Sequence, residues 1–298
     1  MFARSKAGWV AGLRGQVLPG CEATACSAAR RAWRRMHWWQ GRIRLHGSWY
    51  CSPQCFEEAA RERFERAFAE AVPRARAQQH RIPLGLLLLS RGQLTNRQLR
   101  SALEAQQSSG QRRIGEWLET LGFVSEQQIT AALGLQWACP VLASGVGRDY
   151  ESARLLPYRL MERLSMLPVR FVAATRVFHL AFCFGIDYTA MNGIEQMLDC
   201  RTEACLVSRS TLEQALERIG HGRRLGDLLF ESQRLPGEMA HITSSYVLKF
   251  GAEDVRIVAC GEYIWTRLQA GSNITNLLFQ RTSGSQACGL RDGRPFAG

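Results

Sequence analysis

The chain has 298 residues, of which 46% are hydrophobic and 21% charged, and a formal net charge of +12 at pH 7. That length and apolar content allow two or three domains with real cores. The only lysines are Lys6 and Lys249, followed by Ala7 and Phe250, so no Gly-Lys-Ser/Thr phosphate loop exists and a P-loop ATPase is excluded.

The N-terminal stretch MFARSKAGWVAGLRG has no continuous apolar core of the kind a secretory leader needs, and residues 1–20 read as disordered. No apolar run approaches the ~18 residues of a membrane helix, which makes a cytoplasmic protein the expectation. Residues 1–80 hold fourteen Lys/Arg against six Glu. Such a basic segment suits nucleic acid, acidic lipid or an acidic protein. A basic balance alone specifies no ligand, which favours a protein partner over nucleic acid.

Residues 21–80 form a Cys-rich basic segment followed by a helix. Cys21 and Cys26 face Cys51 and Cys55 across a 24-residue gap, and the second pair opens into FEEAARERF. Four soft ligands, two from a loop and two from a helix start, suit a structural zinc site of zinc-finger type. His37 or His46 is a substitute ligand, and unrelated buried thiols are the other reading. From Phe56 to about Gln79, Phe56, Ala60, Phe64 and Phe68 recur every four residues, which predicts a helix that Pro73 ends or kinks.

A duplication occupies residues 81–145. LGLLLLSRGQLTNRQLRSALEAQ from Leu84 is repeated as IGEWLETLGFVSEQQITAALGLQ from Ile114, with every matched pair 30 positions apart. Gly85 matches Gly115, Gly92 matches Gly122, Leu99 matches Ile129, Leu103 matches Leu133 and Gln106 matches Gln136. A unit of this size means two supersecondary pieces burying their apolar faces together. Gly92 and Gly122 stand where a short first helix ends. Thr95 with Gln98, and Ser125 with Gln128, read as capping boxes for the second helices. Each copy is therefore a helical hairpin.

Pro140 and SGVG at 144–147 mark a boundary. Residues 150–220 read as αββαβα: a helix over Arg154–Leu164, strands in MLPVRFVA and RVFHLAFCF, a helix over Tyr188–Leu198, a strand in EACLVSR, and a helix from Ser210 to Ile219 capped by Ser210 or Thr211. That order predicts a small two-layer α/β subdomain. Residues 221–281 read as a C-terminal α+β piece, with helices over Leu225–Glu231 and Gly237–Gly251, a hairpin in DVRIVACGEYIWTRL turning at Gly261-Glu262, and a third strand over Asn276–Gln280. Residues 282–298 read as a disordered tail. The fold class expected for the whole chain is α+β.

Cys139, Cys183, Cys200, Cys205 and Cys260 lie in apolar contexts and read as core thiols. No Ser-His-Asp or HExxH arrangement occurs, so a non-catalytic protein is expected.

The repeats, together with the α/β segment after them, resemble the N-terminal domain of the type II secretion and type IV pilus assembly ATPases, in the subtype called MshEN. The family pattern is a doubled Arg-Leu-Gly, a Gly about seven positions on, two helical Leu and a Gln. The likeness continues through LLP at 155–157, LPV at 167–169, the stretch from Leu180 to Asp187 and the Ile194-Glu195 helix. It stops before the ATPase module. The resemblance implies cyclic di-GMP as ligand, a protein partner in a secretion or pilus machine, and a site made of Arg113, Ile114, Gly115, Ile129, Leu133 and Gln136 in the second copy. In the first copy it implies Leu84, Gly85, Leu99, Leu103 and Gln106. There Pro83 replaces the arginine, and Arg81 lies two residues earlier. A lost charge-assisted contact costs about 1.5–3 kcal/mol. Asp187 stands at the family's acidic position, as a ligand contact or a helix cap. A protein-docking scaffold that has lost the nucleotide is the alternative, and binding of nucleic acid through the basic head is a further one.

Overall fold

A computed structural model describes residues 21–24, 26, 43–70, 81–109, 112–142, 150–221 and 227–281. The fold is α+β, with two sheets and two apolar cores among the described residues.

Among the described residues the first strands form a hairpin, β1 (Ile43–Leu45) and β2 (Ser48–Tyr50), joined by His46-Gly47, both at positive φ, the backbone of a tight primed turn. Helix α1 (Pro53–Ala69) comes next. Ser52 caps it by accepting the Cys55 N–H, and Pro53 sits in its first turn, where the missing donor costs nothing. Phe56, Ala60, Phe64 and Ala67 bury one face, and α1 ends at Ala69, short of the expected Gln79. Pro73 lies outside the described residues.

The duplicated segment forms α2 (Leu84–Ser90), α3 (Asn96–Ser109), α4 (Ile114–Thr120) and α5 (Glu126–Trp137). Gly92 and Gly122 take φ of 67° and 69° to end the short helices, a conformation that favours glycine. Both capping boxes form: Thr95 and Ser125 exchange hydrogen bonds with Gln98 and Gln128. Leu88, Leu94 and Ala102 in one copy, and Leu118, Val124 and Ala132 in the other, are buried in a common core.

The next unit runs α6 (Tyr150–Ala153), α7 (Tyr158–Arg163), β3 (Met166–Val172), β4 (Val177–Phe182), α8 (Tyr188–Leu198), β5 (Arg201–Leu206) and α9 (Arg209–His221). The helix expected over Arg154–Leu164 begins only at Tyr158, as α7, because Pro157 disfavours helical backbone at Leu156 and itself stands at the N-cap of α7. Strand order is β3-β4-β5. β3 and β4 are antiparallel with a bulge between Pro168 and Arg170, on an edge strand that tolerates proline. β4 and β5 are parallel through the α8 crossover. The cap of α9 is Ser208, whose Oγ accepts the Thr211 N–H, rather than Ser210 or Thr211. The repeats are fastened to this unit: Val141 bridges Leu206, and the buried side chains of both form one core.

The last segment holds β6 (Asp227–Phe230), α10 (Pro236–Phe250), β7 (Asp254–Cys260), β8 (Tyr263–Ala270) and β9 (Asn273–Gln280). The helix expected over Leu225–Glu231 is the strand β6. Leu228, Leu229 and Phe230 pair in parallel with Leu277, Leu278 and Phe279, and a run this short carries no period of its own to separate helix from strand. The sheet order is β2-β1-β7-β8-β9-β6. Its two ends, at Ser48–Tyr50 and Asp227–Phe230, lie far apart in the chain, and β1 is parallel to β7.

The β7–β9 meander is buried on both faces. Ile257, Ile264, Leu277 and Phe279 face α1 and α10, with Phe64 edge-on to Phe279 at 5.6 Å. Val258, Cys260, Trp265 and Leu278 face the α/β unit. There α8 lies so close to β7 that a Cβ on Gly193 would meet the Ala259 carbonyl at 2.4 Å and the Cys260 Cβ at 2.8 Å. Ala in place of a helical Gly ordinarily stabilises by about 0.5–1 kcal/mol. Gly193→Ala is expected to do the opposite, by about 1–3 kcal/mol, as a lower urea midpoint; a raised midpoint would show that α8 does not bear on β7.

Candidate functional site

The repeat pair is closed by two matching hydrogen bonds. Gln106 donates through Nε2 to the Arg112 carbonyl at 2.9 Å, and Gln136 donates to the Ile82 carbonyl at 2.7 Å. Arg112 and Ile82 are themselves 30 residues apart. Each copy's glutamine therefore clasps the chain entering the other copy. Packing obeys the same rule: α2 lies against α5 and α4 against α3.

The glycines let the two helices within each copy approach closely. A Cβ on Gly85 would meet Leu99 Cδ1 at 2.6 Å, and one on Gly115 would meet Ile129 Cγ2 and Leu84 Cδ2, both at 3.4 Å. Arg113 is the N-cap of α4, and its N–H donates to Glu116 at 3.0 Å. Pro83 holds the corresponding place before α2 and has no N–H to donate. Arg81 does not replace the missing arginine, because its guanidinium lies 3.3 Å above the Trp137 ring, at the far end of α5.

A cavity of about 270 Å³ opens at the second copy. Arg113, Ile114, Gly115, Ile129, Leu133 and Gln136 all line it, and Leu84 reaches in from the first copy. Gly85, Leu99, Leu103 and Gln106 do not line it. Leu103 is 40% exposed instead. The α/β unit supplies the opposite wall, Cys183, Phe184 and Arg209, none of which the repeat pattern points to. Phe184 lies just after β4 and Arg209 opens α9. Both Arg113 and Arg209 stand over the Phe184 ring, at 4.5 and 5.9 Å. Carboxylates enter as well. Glu116 binds Arg209 at 2.9 Å, Glu126 accepts the Ser210 N–H and hydroxyl at 2.6 Å each, and Glu119 lies on the rim. The arrangement offers an apolar slot with paired cations over an aromatic floor, which suits a planar base attached to an anionic group.

Asp187 is a helix cap. Its Oδ1 accepts the N–H groups of Thr189 and Ala190 at the start of α8.

The second constellation is sulfur. Cys21, Cys26, Cys51 and Cys55 bring their Sγ atoms within 4.8 Å of one another, with Cys26 and Cys51 3.4 Å apart and Cys51 and Cys55 3.8 Å apart. All four are free thiols. Four thiolates in a tetrahedron about zinc, each at ~2.3 Å, lie ~3.8 Å apart, so the residues fit that ion. Burial, with hydrogen bonds among the cluster, pushes the Cys51 thiol up, and burial does the same for Cys55; a bound divalent cation reverses that. His46 is not a ligand: its Nε2 accepts the Ile257 N–H at 2.9 Å. His37 lies outside the described residues. Of the remaining thiols among the described residues, Cys183, Cys205 and Cys260 are buried, while Cys139 and Cys200 are half-buried. Burial lifts Cys183 and Cys205 to about 12 and Cys200 to about 11.

No family model matches the chain, and no curated protein does. Among solved structures, one of MshE with cyclic di-GMP is 30% identical, over 47% of this chain and 99% of that one, with a TM-score of 0.40. Two crystal forms of the N-terminal domain of XpsE are 18% and 20% identical, over 48% and 44% of this chain and 94% and 90% of theirs, with TM-scores of 0.35 and 0.29. The identity spans nearly the whole MshE chain. At 30% identity over 99% of the MshE chain, this chain carries an MshEN-like domain. No helix of the described residues is long and apolar enough to cross a membrane.

Burial, reinforced by Arg63, holds His46 at about 4 against an ordinary 6.5. The unfolded chain binds a proton there between pH 6.5 and 4 that the folded chain rejects, so the His46 contribution is complete above pH 6.5 and lost as pH falls towards 4. Because the residue is exposed to screening solvent, the loss is only a fraction of the ~3 kcal/mol that such a shift would carry in full. His46→Gln is expected to flatten the urea midpoint against pH across that window; an unchanged profile would remove His46 as its source.

Proposed function

We propose that this protein is a non-catalytic cyclic di-GMP sensor, a cytoplasmic regulator or adaptor that passes its bound state to a protein partner in a secretion or pilus machine. The observation that carries the reading is the convergence of Arg113, Ile114, Gly115, Ile129, Leu133 and Gln136 on one cavity. At about 270 Å³ the cavity lies at the small end of ligand pockets, which suits one base-sugar half of the dinucleotide. The first-copy surface at Leu99 and Leu103 offers contact to the other half. Leu84 and the aliphatic walls cover the base, Arg113 supplies charge, and Phe184 supplies a flat face. The MshE structure with cyclic di-GMP lends support by analogy. In the same reading Cys21, Cys26, Cys51 and Cys55 hold a structural zinc ion that ties the loop at Cys21–Cys26 to the start of α1.

Pro83 favours a second reading. The first copy lacks both the arginine and the backbone donor, as a domain kept only for docking would.

Calorimetric titration with cyclic di-GMP decides between them. Binding at micromolar concentrations or tighter, weakened about 10- to 100-fold by Arg113→Ala, is expected of the sensor. No heat far above that range would leave the docking scaffold. For the metal, about one zinc per chain is expected by elemental analysis of protein purified without chelator, and its loss in Cys51→Ser. Metal-free protein with all four thiols titratable would discard the zinc.

A further inference from the structure

Two cations, not one, stand over the floor of the cavity, and the second lies outside the repeats. Arg209 opens α9, and its guanidinium is 5.9 Å from the centre of the Phe184 ring, the ring that Arg113 covers at 4.5 Å. Both arginines line the same space. In the repeat pattern the second cation belongs at residue 83, where this chain has proline, and Arg81 is spent on Trp137.

We propose that Arg209 is the second cation of the nucleotide site, so that the ligand's anionic group is held between α4 and α9 rather than shared between the two copies. The inference rests on the cyclic di-GMP reading above and names the residue that repairs its weakest point. Arg209 is held ready by two carboxylates, Glu213 at 2.6 Å on its own helix and Glu116 at 2.9 Å across the cavity. Its side chain remains 48% exposed, so it exchanges these partners for a phosphodiester without leaving water. Glu116 keeps a second partner when Arg209 turns away, because its other oxygen caps α4 at the Arg113 N–H. The planar fork of arginine presents two donors to a phosphate while its face rests on an aromatic ring, a combination lysine lacks.

The position also has a mechanical side. Ser210, the next residue, is fixed to Glu126 of α5 through both its N–H and its hydroxyl. A ligand that draws Arg209 inward therefore bears on the joint between the repeats and α9.

The test titrates cyclic di-GMP into the full chain and into Arg113→Ala, Arg209→Ala, Arg209→Lys and Pro83→Arg, each checked for folding by circular dichroism. Arg209→Ala is expected to weaken binding about 10- to 100-fold, with Arg209→Lys in between. Pro83→Arg is expected to stay within about twofold of the parent, since the second cation is already present. Should Arg209→Ala fail to fold, Arg209→Lys and Pro83→Arg still decide. Parent-like binding by the Arg209 variants alongside loss in Arg113→Ala would overturn the role of Arg209 and leave the sensor standing. A tenfold gain from Pro83→Arg would also overturn it, by showing that the cationic place lies on the first copy. No binding by the parent chain overturns both.

Discussion

The architecture rests on one constraint, a three-stranded meander that is apolar on both faces. β7, β8 and β9 alternate large side chains up and down, with Ile257 and Ile264 on one side and Val258 and Trp265 on the other. A sheet with one wet face needs a single cover; this one needs two. The N-terminal helix α1 and α10 supply one. The α/β unit supplies the other through α8, at a separation that only glycine at 193 permits. The segments before and after the repeats are thereby drawn together in one sheet, and the α/β unit is anchored against it.

Polar groups reinforce that joint. Trp265 donates to Asn276, Asn276 to Asp227, and the other oxygen of Asp227 accepts the Tyr158 N–H at the start of α7. Arg267, whose pKa burial lowers, donates to the Leu155 carbonyl. A buried network with every member engaged fixes register and orientation. The contacts run from the sheet into the helices flanking β3, so the unit holding Phe184 and Arg209 has a defined seat.

Local signals made much of this legible in the sequence. The capping boxes at Thr95 and Ser125, the αL glycines at 92 and 122, and the hairpin at Gly261-Glu262 depend on nearest neighbours and form as expected. What depends on distant partners did not show. β6 is a strand because β9 lies beside it. The hairpin of β1 and β2 has only His46-Gly47, between IRL and SWY, as its local signal. Its parallel pairing with β7 has no local mark at all. The candidate site divides the same way. The repeat supplied the residues along one wall of the cavity, since duplication is visible as text. Phe184 and Arg209 belong to no repeat, and only folding brings them to face Arg113.

The reciprocal glutamine bonds give the repeat pair a closed form. Gln106 holds the approach to the second copy and Gln136 the approach to the first, so the two hairpins stand to each other as the subunits of an isologous dimer do. They differ from an open solenoid, where a third copy would find a free face. Joined in one chain, the halves meet at high effective concentration whatever the abundance of the protein. They are also released from identity. A dimer of one hairpin must place the same residue at both equivalent positions, whereas this chain has Pro83 in one and Arg113 in the other. Fusion turns a symmetric surface into two sides free to take different tasks.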